Sequence, residues 1–337
     1  MRTTNSSLIL PTPDTYQIEW QNEILDEYGN PDAIFAADIH LRATPPLCRT
    51  DNFRKAQTNK LRFLFDIAND LCVEGVIIAG DFGHSPFWPN ELLTNTIDMI
   101  RLLDQIPLLI VPGQHDLPQH RLERYQDGAL GVLEAAQMIN VLYDAEGHKN
   151  FREFKLHSYP FGHEIEHDHH SSKFRKVAVA HMMVIENIPL WPGQIALKGN
   201  TLLEKFPEYD LIVTGDNHNP FVIEHEGRLH INPGSMMRQK SDQINHRPRF
   251  YLWWAKTNKY MPIFWEIDKN AVTREHIETS EEIDERINQF VSKLITDDEN
   301  IEVDFKENLT NFIAKQLNLS KKTIDRIWEA VSSWNKE

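Results

Sequence analysis

The sequence has few of the features that mark secreted or membrane proteins. Its 337 residues contain only two cysteines, Cys48 and Cys72. A chain of this length can bury a core without cross-links, so we expect reduced thiols, as in the cytoplasm. The early apolar run Leu8-Ile9-Leu10 is too short for a signal peptide, and no run nears the ~20 apolar residues of a membrane span. These absences predict a soluble, cytoplasmic protein without a membrane association.

Basic charge is also scarce. The 50 Asp and Glu residues exceed the 35 Lys and Arg residues, and the formal net charge is −15. Because contacts to phosphate supply most non-specific affinity for nucleic acid, this balance argues against a simple DNA-binding module. It is compatible with a site that attracts cations, and with an enzyme that holds DNA locally or through a partner.

Five short apolar runs without polar alternation are present, which is typical of strands buried on both faces. They cover residues 33–37, 75–79, 107–111, 177–180 and 211–213. Helical patterns follow the first two runs, one capped at Thr50 or Asp51 and the other at Asn90. Strands that alternate with helices predict an α/β fold with a largely parallel sheet.

Composition divides the chain into three parts. Residues 1–30 are polar and predict an N-terminal extension with a short helix at 23–28. A core follows at 31–268 and closes with an aromatic hairpin at 250–267. Residues 269–337 are charged, with apolar residues at helical spacing, and predict a C-terminal helical cap or docking segment.

Acidic, amide or imidazole side chains directly follow each of the five runs. They are Asp38 and His40, Asp81, Gln114 with His115 and Asp116, His181, and Asp216 with His218. Because ligands bind outside the carboxyl ends of strands in open α/β sheets, we expect these side chains to meet at one edge. Crowded carboxylates repel one another unless a cation neutralises them, and mixed imidazole and carboxylate ligands suit Mn²⁺, Fe or Zn²⁺. The pattern predicts two divalent ions that activate water and hold a phosphoryl group.

In order and strand context, these groups resemble the five motifs of the calcineurin-like metallophosphoesterases. Those motifs are Asp-x-His, Gly-Asp, Gly-Asn-His-(Asp/Glu), His and Gly-His-x-His, and the resemblance covers roughly residues 32–240. The resemblance implies an αββα sandwich with its active site at the carboxyl ends of the strands. It also implies hydrolysis of a phosphoester.

The same resemblance implies a role for each residue. The first ion would be held by Asp38, His40 and His218, and the second by Gln114, His181 and Asp216. Asp81 would bridge both ions. His115 would steady the transition state or protonate the leaving oxygen, with Asp116 orienting its ring.

Two residues depart from the family pattern, and both belong to the second ion. Gln114 stands where the family has Asn, and Asp216 stands where it has the first His of the last motif. Both can still supply oxygen ligands, and the extra carboxylate should favour Mn²⁺ or Mg²⁺ over softer ions. The alternative is a weakened second site that holds its ion loosely.

Further residues bear on the substrate. The segment Gly80-Asp81-Phe82-Gly83-His84 resembles the Gly-Asp-Leu-Phe-His segment of SbcD-type DNA nuclease subunits, in which this histidine lies beside the metals. His84 is thus a candidate for contacting the scissile phosphate, with a solvated loop histidine as the alternative. The segment Ile231-Asn232-Pro233-Gly234-Ser235 resembles a Pro-Gly-Ser turn of the same nucleases that also occurs in small bacterial phosphodiesterases, and a purely structural turn is its alternative. Arg42 and Arg238 are candidate phosphate contacts.

A histidine-rich run at residues 162–170 also invites a metal-binding interpretation. It has no strand to support it and lies between one apolar segment and the next strand. We therefore expect an exposed, mobile loop with adventitious metal binding at most.

These observations predict a Mn²⁺-dependent DNA nuclease of the SbcD type. An SbcC-like ATPase is the expected partner, and homodimerisation is left open. One alternative is a small-molecule phosphodiesterase or phosphatase, which a deep, narrow pocket would favour. The other is a degenerate phosphoesterase fold that serves as a binding scaffold. Gln114 and Asp216 are its only support, and the retained pair His115 and Asp116 argues against it.

Overall fold

Two six-stranded sheets form the centre of the protein. The structure is a computed structural model, and it describes residues 27–143, 148–187, 196–273, 310, 313 and 321–334. In spatial order, the first sheet contains β14 (Lys259–Phe264), β13 (Arg249–Trp254), β1 (Ala33–Ala36), β2 (Gly75–Ala79), β3 (Leu108–Val111) and β4 (Asn140–Val141). The second contains β11 (Phe221–His225), β12 (Arg228–Asn232), β10 (Leu211–Gly215), β7 (Arg175–His181), β6 (Phe154–Tyr159) and β5 (His148–Asn150). A separate parallel pair joins β8 (Val184–Ile185) to β9 (Leu197–Lys198).

All five predicted strands are present, but they are shared between two sheets. Strands β1 to β4 are parallel in the first sheet, and β6, β7, β10 and β12 are parallel in the second. Antiparallel strands flank both, including the predicted hairpin as β13 and β14. The expectation of one sheet from the apolar runs was wrong, because such a run reveals burial on both faces and not which strands are its neighbours.

The sheets pack face to face, and helices cover their outer faces. Phe35, Ile77 and Leu109 of the first sheet belong to one buried cluster with Val179 and Val213 of the second. The other faces of the same strands form two further clusters with the helices. These helices are α1 (Phe53–Asp70), α2 (Asn90–Ile100) and α3 (Ala129–Ala135) on the first sheet and α4 (Gly199–Lys205) on the second. The αββα sandwich is therefore confirmed.

The helix starts differ slightly from expectation. The side chain of Asn52 accepts a hydrogen bond from the Lys55 amide at 3.1 Å and caps α1. Thr50 and Asp51 bind elsewhere, to the Asn270 carbonyl and the Arg49 guanidinium, respectively. At α2 the cap residue is Pro89, one position before the predicted Asn90.

The chain divides into two compact units, Met1–Thr273 and Arg274–Glu337. Of the helix predicted at 23–28, the described residues Glu27 and Tyr28 are helical. In the second unit, α5 (Lys321–Trp334) contains the last predicted helix, and the predicted helices at 283–294 and 309–317 lie outside the described residues apart from Thr310 and Ile313. Across the described ranges, no helix has the length and apolarity needed to span a membrane.

Candidate metal centre

The carboxyl ends of β1, β2, β3, β7 and β10 meet at one end of the sandwich. The backbone N–H of Asp216, after β10, donates to both carboxylate oxygens of Asp38, after β1, at 3.2 Å. The Nδ1 atom of His181, at the end of β7, lies 2.8 Å from the Ala79 carbonyl of β2. These contacts cross from one sheet to the other, so the predicted convergence holds although the strands belong to two sheets.

The backbone turns sharply where these strands end. Asp38, His40, Asp81 and Asp216 have φ values of 49°, 48°, 49° and 80°. Left-handed backbone is uncommon for residues other than glycine and tends to occur at functional sites. Gly80 is also left-handed, and a Cβ there would collide with the His181 ring. Its glycine is therefore required for the close approach of β2 and β7.

Three groups of side chains have the spacing of metal ligands, and two of them contain carboxylates. Asp38, His40 and His218 form one group, and Asp38, Asp81 and His181 form the other, each with its ligand atoms within 4.8 Å of one another. The Nε2 atoms of His40 and His218 are 3.1 Å apart. His181 Nε2 lies 3.5 Å from Asp81 Oδ2, and His40 Nε2 lies 3.8 Å from the same oxygen. Asp38 and Asp81 thus lie between imidazoles on both sides.

Several polar atoms in this cluster are buried without a hydrogen-bond partner. They include Asp81 Oδ2, His181 Nε2 and Gln114 Oε1. A buried acceptor without a partner is costly, by about 1–3 kcal/mol for a neutral group and more for a charged one. Divalent cations would satisfy these atoms, so these side chains fit the two metal ions that the family resemblance implies.

The charges of the cluster are strongly perturbed. Burial raises the pKa of Asp38 well above its usual range and lowers the pKa of His40 well below it. Burial also lowers the pKa of His218 to about 4. His181 lies next to Asp81. Burial alone would lower the pKa of His181, but the Asp81 carboxylate raises it to about 10. Burial therefore keeps the rings of His40 and His218 neutral, which is the form in which histidine binds metals, whereas His181 is paired with the Asp81 carboxylate.

The two departures from the family pattern lie in contact with each other. Gln114 Nε2 donates to Asp216 Oδ1 at 2.8 Å, which leaves Gln114 Oε1 as the buried, unpartnered oxygen. Asp216 is not in either ligand group, so its predicted role as a direct ligand remains a prediction. What its carboxylate does in this structure is orient the Gln114 amide.

His115 and His84 lie beside this cluster as a stacked pair. Their ring centroids are 5.4 Å apart with an interplanar angle of 12°, and their nitrogens group with those of His40. His115 Nδ1 lies 3.1 Å from the His84 carbonyl. Because a carbonyl can only accept, Nδ1 carries the proton, and the His84 backbone orients the His115 ring.

The predicted role of Asp116 in orienting His115 was therefore wrong. Its buried carboxylate accepts backbone hydrogen bonds from Phe82 at 3.2 Å, Gly83 at 2.7 Å and Gly113 at 2.9 Å. Burial raises the pKa of Asp116 to about 7. Asp116 holds the loops after β2 and β3 together, and it supports His84 and His115 only through the backbone.

The two candidate arginines have different environments. Arg238 is 2% exposed and donates to the carbonyls of Ile244 and Asp268, so its predicted phosphate contact was wrong. Arg42 is partly exposed, and its charge contributes, after burial, to lowering the pKa of His84 to about 4. Arg42 therefore stays a candidate for contacting substrate beside His84.

The histidine-rich run is not the free loop that its sequence predicts. Asp168 forms an ion pair with Lys176 at 2.9 Å, and the Tyr209 hydroxyl donates to the Glu166 carbonyl at 3.0 Å. Ile165 is buried. The run is anchored because its acidic and apolar residues reach the second sheet, although its histidines are mostly exposed.

Asn232, at the carboxyl end of β12, lies beside the site, although no sequence pattern indicated a role for it. Its side-chain N–H groups donate to the carbonyls of Asn217 and Asn219, on either side of His218. The only signal in the sequence is that Asn232 directly precedes Pro233-Gly234-Ser235, a segment that by itself predicts a turn.

Comparison with known proteins identifies the superfamily of the domain. The model of the Calcineurin-like phosphoesterase superfamily domain matches residues 33–247, more than half of the chain. The comparison with curated protein sequences gives no match.

Similar folds occur among solved structures. The protein TT1561 of Thermus thermophilus is 12% identical with a TM-score of 0.41, and the match covers 70% of this chain and 99% of that one. An archaeal phosphodiesterase is 15% identical with a TM-score of 0.39, covering 69% of this chain and 99% of that one. A dimetal phosphatase from Danio rerio is 11% identical with a TM-score of 0.43, covering 70% and 100%, respectively.

Proposed function

The chain belongs to the calcineurin-like phosphoesterase superfamily, and from this premise we propose that it hydrolyses DNA phosphodiesters with two divalent ions, as SbcD-type nucleases do. The observation that carries this proposal is the set of buried, unpartnered atoms on Asp81, His181 and Gln114 beside the group Asp38, His40 and His218. Bound divalent ions lower the pKa of water and stabilise negative charge on phosphoryl oxygens. Carboxylate and amide oxygens among the ligands favour Mn²⁺, with Mg²⁺, Fe and Zn²⁺ as alternatives.

His115 is the proposed general acid. Its Nδ1 proton is held by the His84 carbonyl, so Nε2 is the nitrogen that can exchange a proton with the substrate. A proton on Nε2 would be passed to the leaving oxygen as the bond to phosphorus breaks. Stacking on His84 restricts the ring to one orientation.

DNA as the substrate is supported by the residues around His84. Phe87 is 63% exposed on the same loop and offers a face on which a base can stack. Arg42 supplies positive charge next to His84. The net charge of −15 favours the alternative, a small phosphodiester, because it repels a polyanion.

We also propose an SbcC-like ATPase partner and a homodimer. Support for the partner comes from the charged segment after the core, which forms a unit of its own, Arg274–Glu337.

Hydrolysis assays test the proposal. Bis-p-nitrophenyl phosphate and labelled single- and double-stranded DNA are incubated with Mn²⁺, Mg²⁺ or EDTA. We expect Mn²⁺-dependent cleavage of DNA, reduced by about 10²–10⁴-fold in His115→Ala, as for loss of a general acid.

The matched control is His225→Ala. His225 pairs with Arg228 where the β11–β12 hairpin turns, at the end of the sheet opposite to the metal centre, and its removal should leave the rate unchanged. Cleavage of the small diester alone would contradict DNA as the substrate. A full rate in EDTA would contradict the two-ion reaction.

A further inference from the structure

Asn232 holds the loop that carries His218. It lies at the carboxyl end of β12 and is 0% exposed. Its Nδ2 atom donates to the Asn217 carbonyl at 2.6 Å and to the Asn219 carbonyl at 2.9 Å. Both amide hydrogens are therefore used on the carbonyls of the two residues that flank His218.

The residues after Asn232 bind the carbonyl between those two. The Ser235 N–H donates to the His218 carbonyl at 3.1 Å. Gly234, at φ +73°, makes this approach possible, because a Cβ there would lie only 2.6 Å from the His218 oxygen. Three successive carbonyls of the His218 loop are thus bound by residues 232–235.

The orientation of the Asn232 amide is itself determined by a buried network. Since both of its hydrogens are used, its Oδ1 accepts, and the Thr214 hydroxyl donates to it at 3.2 Å. His230 Nε2 lies 2.9 Å from the same hydroxyl and must therefore be the donor there. Burial lowers the pKa of His230 to about 3, which keeps the ring neutral at physiological pH. The amide of Asn232 consequently has one satisfied orientation.

The same segment also reaches the loop after β1. The Met236 N–H donates to the Asp38 carbonyl at 3.2 Å, and buried Lys60 donates to the Met236 carbonyl at 2.9 Å. Residues 232–236 thus connect the two loops that carry Asp38, His40 and His218.

We propose that Asn232 is a positioning residue, which sets the place of His218 and hence the metal affinity of the group Asp38, His40 and His218. The inference rests on the proposed function, because it takes these three residues as ligands of one ion. The Asn232 amide is hydrogen-bonded to Thr214, Asn217 and Asn219, and Asn232 belongs to none of the ligand groups. It acts through the backbone on both sides of His218.

The chain contains a matched control in Asn258. This residue is also buried, at 7% exposure, and its Nδ2 donates to the carbonyls of Asp210 at 3.0 Å and Gly227 at 2.8 Å. Its Oδ1 accepts from Trp253 Nε1 at 2.9 Å. The bonding pattern equals that of Asn232, but Asp210 precedes β10, whereas Asn217 follows it. Loss of the two side chains should cost similar stability at opposite ends of the same strand.

The test is a titration of metal-stripped full-length protein with Mn²⁺, followed by the electron paramagnetic resonance signal of free Mn²⁺. His218→Ala first identifies the binding step to which His218 contributes. We expect Asn232→Ala to weaken that same step by about 10–100-fold, as for other residues that orient metal ligands. Asn258→Ala should lower Tm by about as much as Asn232→Ala does, and it should leave the affinities of both Mn²⁺-binding steps unchanged. Thr214→Val, which removes the donor to Asn232 Oδ1 with little change of shape, should weaken the same step less, and it serves if Asn232→Ala does not fold.

Different outcomes overturn different claims. If Asn232→Ala and Thr214→Val leave the His218 step unchanged, or if Asn258→Ala weakens it equally, the inference about Asn232 is overturned while the metal site stands. If His218→Ala changes neither step, the ligand assignment of the proposed function fails and the inference fails with it.

Discussion

At the scale of single residues, the Gln114–Asp216 pair distinguishes this metal centre from the family pattern. The Asp216 carboxylate accepts from the Gln114 amide at 2.8 Å and leaves Gln114 Oε1 buried and without a partner. Gln114 is longer than the Asn of the family pattern, and Asp216 provides the acceptor for its N–H group. This complementarity supports a second ion held by a linked pair, and it counts against the alternative of a weakened site.

Restoring the family residues tests this linkage. We expect Gln114→Asn and Asp216→His each to reduce the affinity for the second ion by about tenfold, because each change removes the partner of the other side chain. The double variant should recover affinity and shift its preference from Mn²⁺ towards Zn²⁺, since imidazole replaces carboxylate. Isothermal titration with each ion measures both effects. If the two single effects simply add in the double variant, the residues act independently.

At the scale of elements, the segment between β6 and β7 is tied to the second sheet by Asp168. The carboxylate forms an ion pair with Lys176 at 2.9 Å and accepts from the His170 N–H at 3.0 Å. Lys176 Nζ also donates to the Asp168 and His170 carbonyls. Although burial alone would raise the pKa of Asp168, hydrogen bonds from Lys176 and His170 hold it below its usual range. The anchoring therefore depends on an ionised carboxylate.

Asp168→Asn should lower the free energy of unfolding by about 2 kcal/mol at pH 7, a typical loss for a hydrogen bond to a charged group. The pKa of Asp168 is lower in the folded than in the unfolded chain, so its contribution is complete above about pH 4 to 5. That contribution is lost as the pH falls further through the folded-state pKa. Urea unfolding of both proteins between pH 7 and pH 3 measures the difference. Glu164→Gln, at an exposed position of the same run, is the control and should have no effect. A difference that grows towards pH 3 would contradict this account.

At the scale of the whole molecule, the three buried clusters of the sandwich and all candidate ligands belong to the unit Met1–Thr273. Both sheets are complete within that unit. The catalytic chemistry and the fold that supports it thus occupy one unit. The proposed docking role belongs to the other unit, Arg274–Glu337.

A chain that ends at Thr273 should therefore fold and keep its small-diester activity. We expect unchanged Mn²⁺ stoichiometry and unchanged hydrolysis of bis-p-nitrophenyl phosphate, because the truncation removes no ligand and none of the residues of the three clusters. Circular dichroism melting and metal analysis provide the measurements. Loss of cooperative melting would mean that the second unit is needed for the fold.

The α/β class, the five central strands and the order in which candidate ligands follow them could all be predicted from the sequence. This was possible because a strand buried on both faces is apolar along its whole length, as in β2 and β3, and because the candidate ligands follow these runs directly. Strands with polar residues were missed, including β6 with His157 and Ser158 and β12 with Arg228 and His230.

Which of these residues lie in contact with one another became evident from the folded structure. It divided the strands between two sheets, since an apolar run does not specify its neighbours. It also gave Asp116 backbone N–H groups, and Arg238 backbone carbonyls, as partners. The role of Asn232 is visible only in its hydrogen bonds to the carbonyls on either side of His218. Partners of this kind are backbone groups, which every residue has, so the sequence carries no mark of them and only folding brings them together.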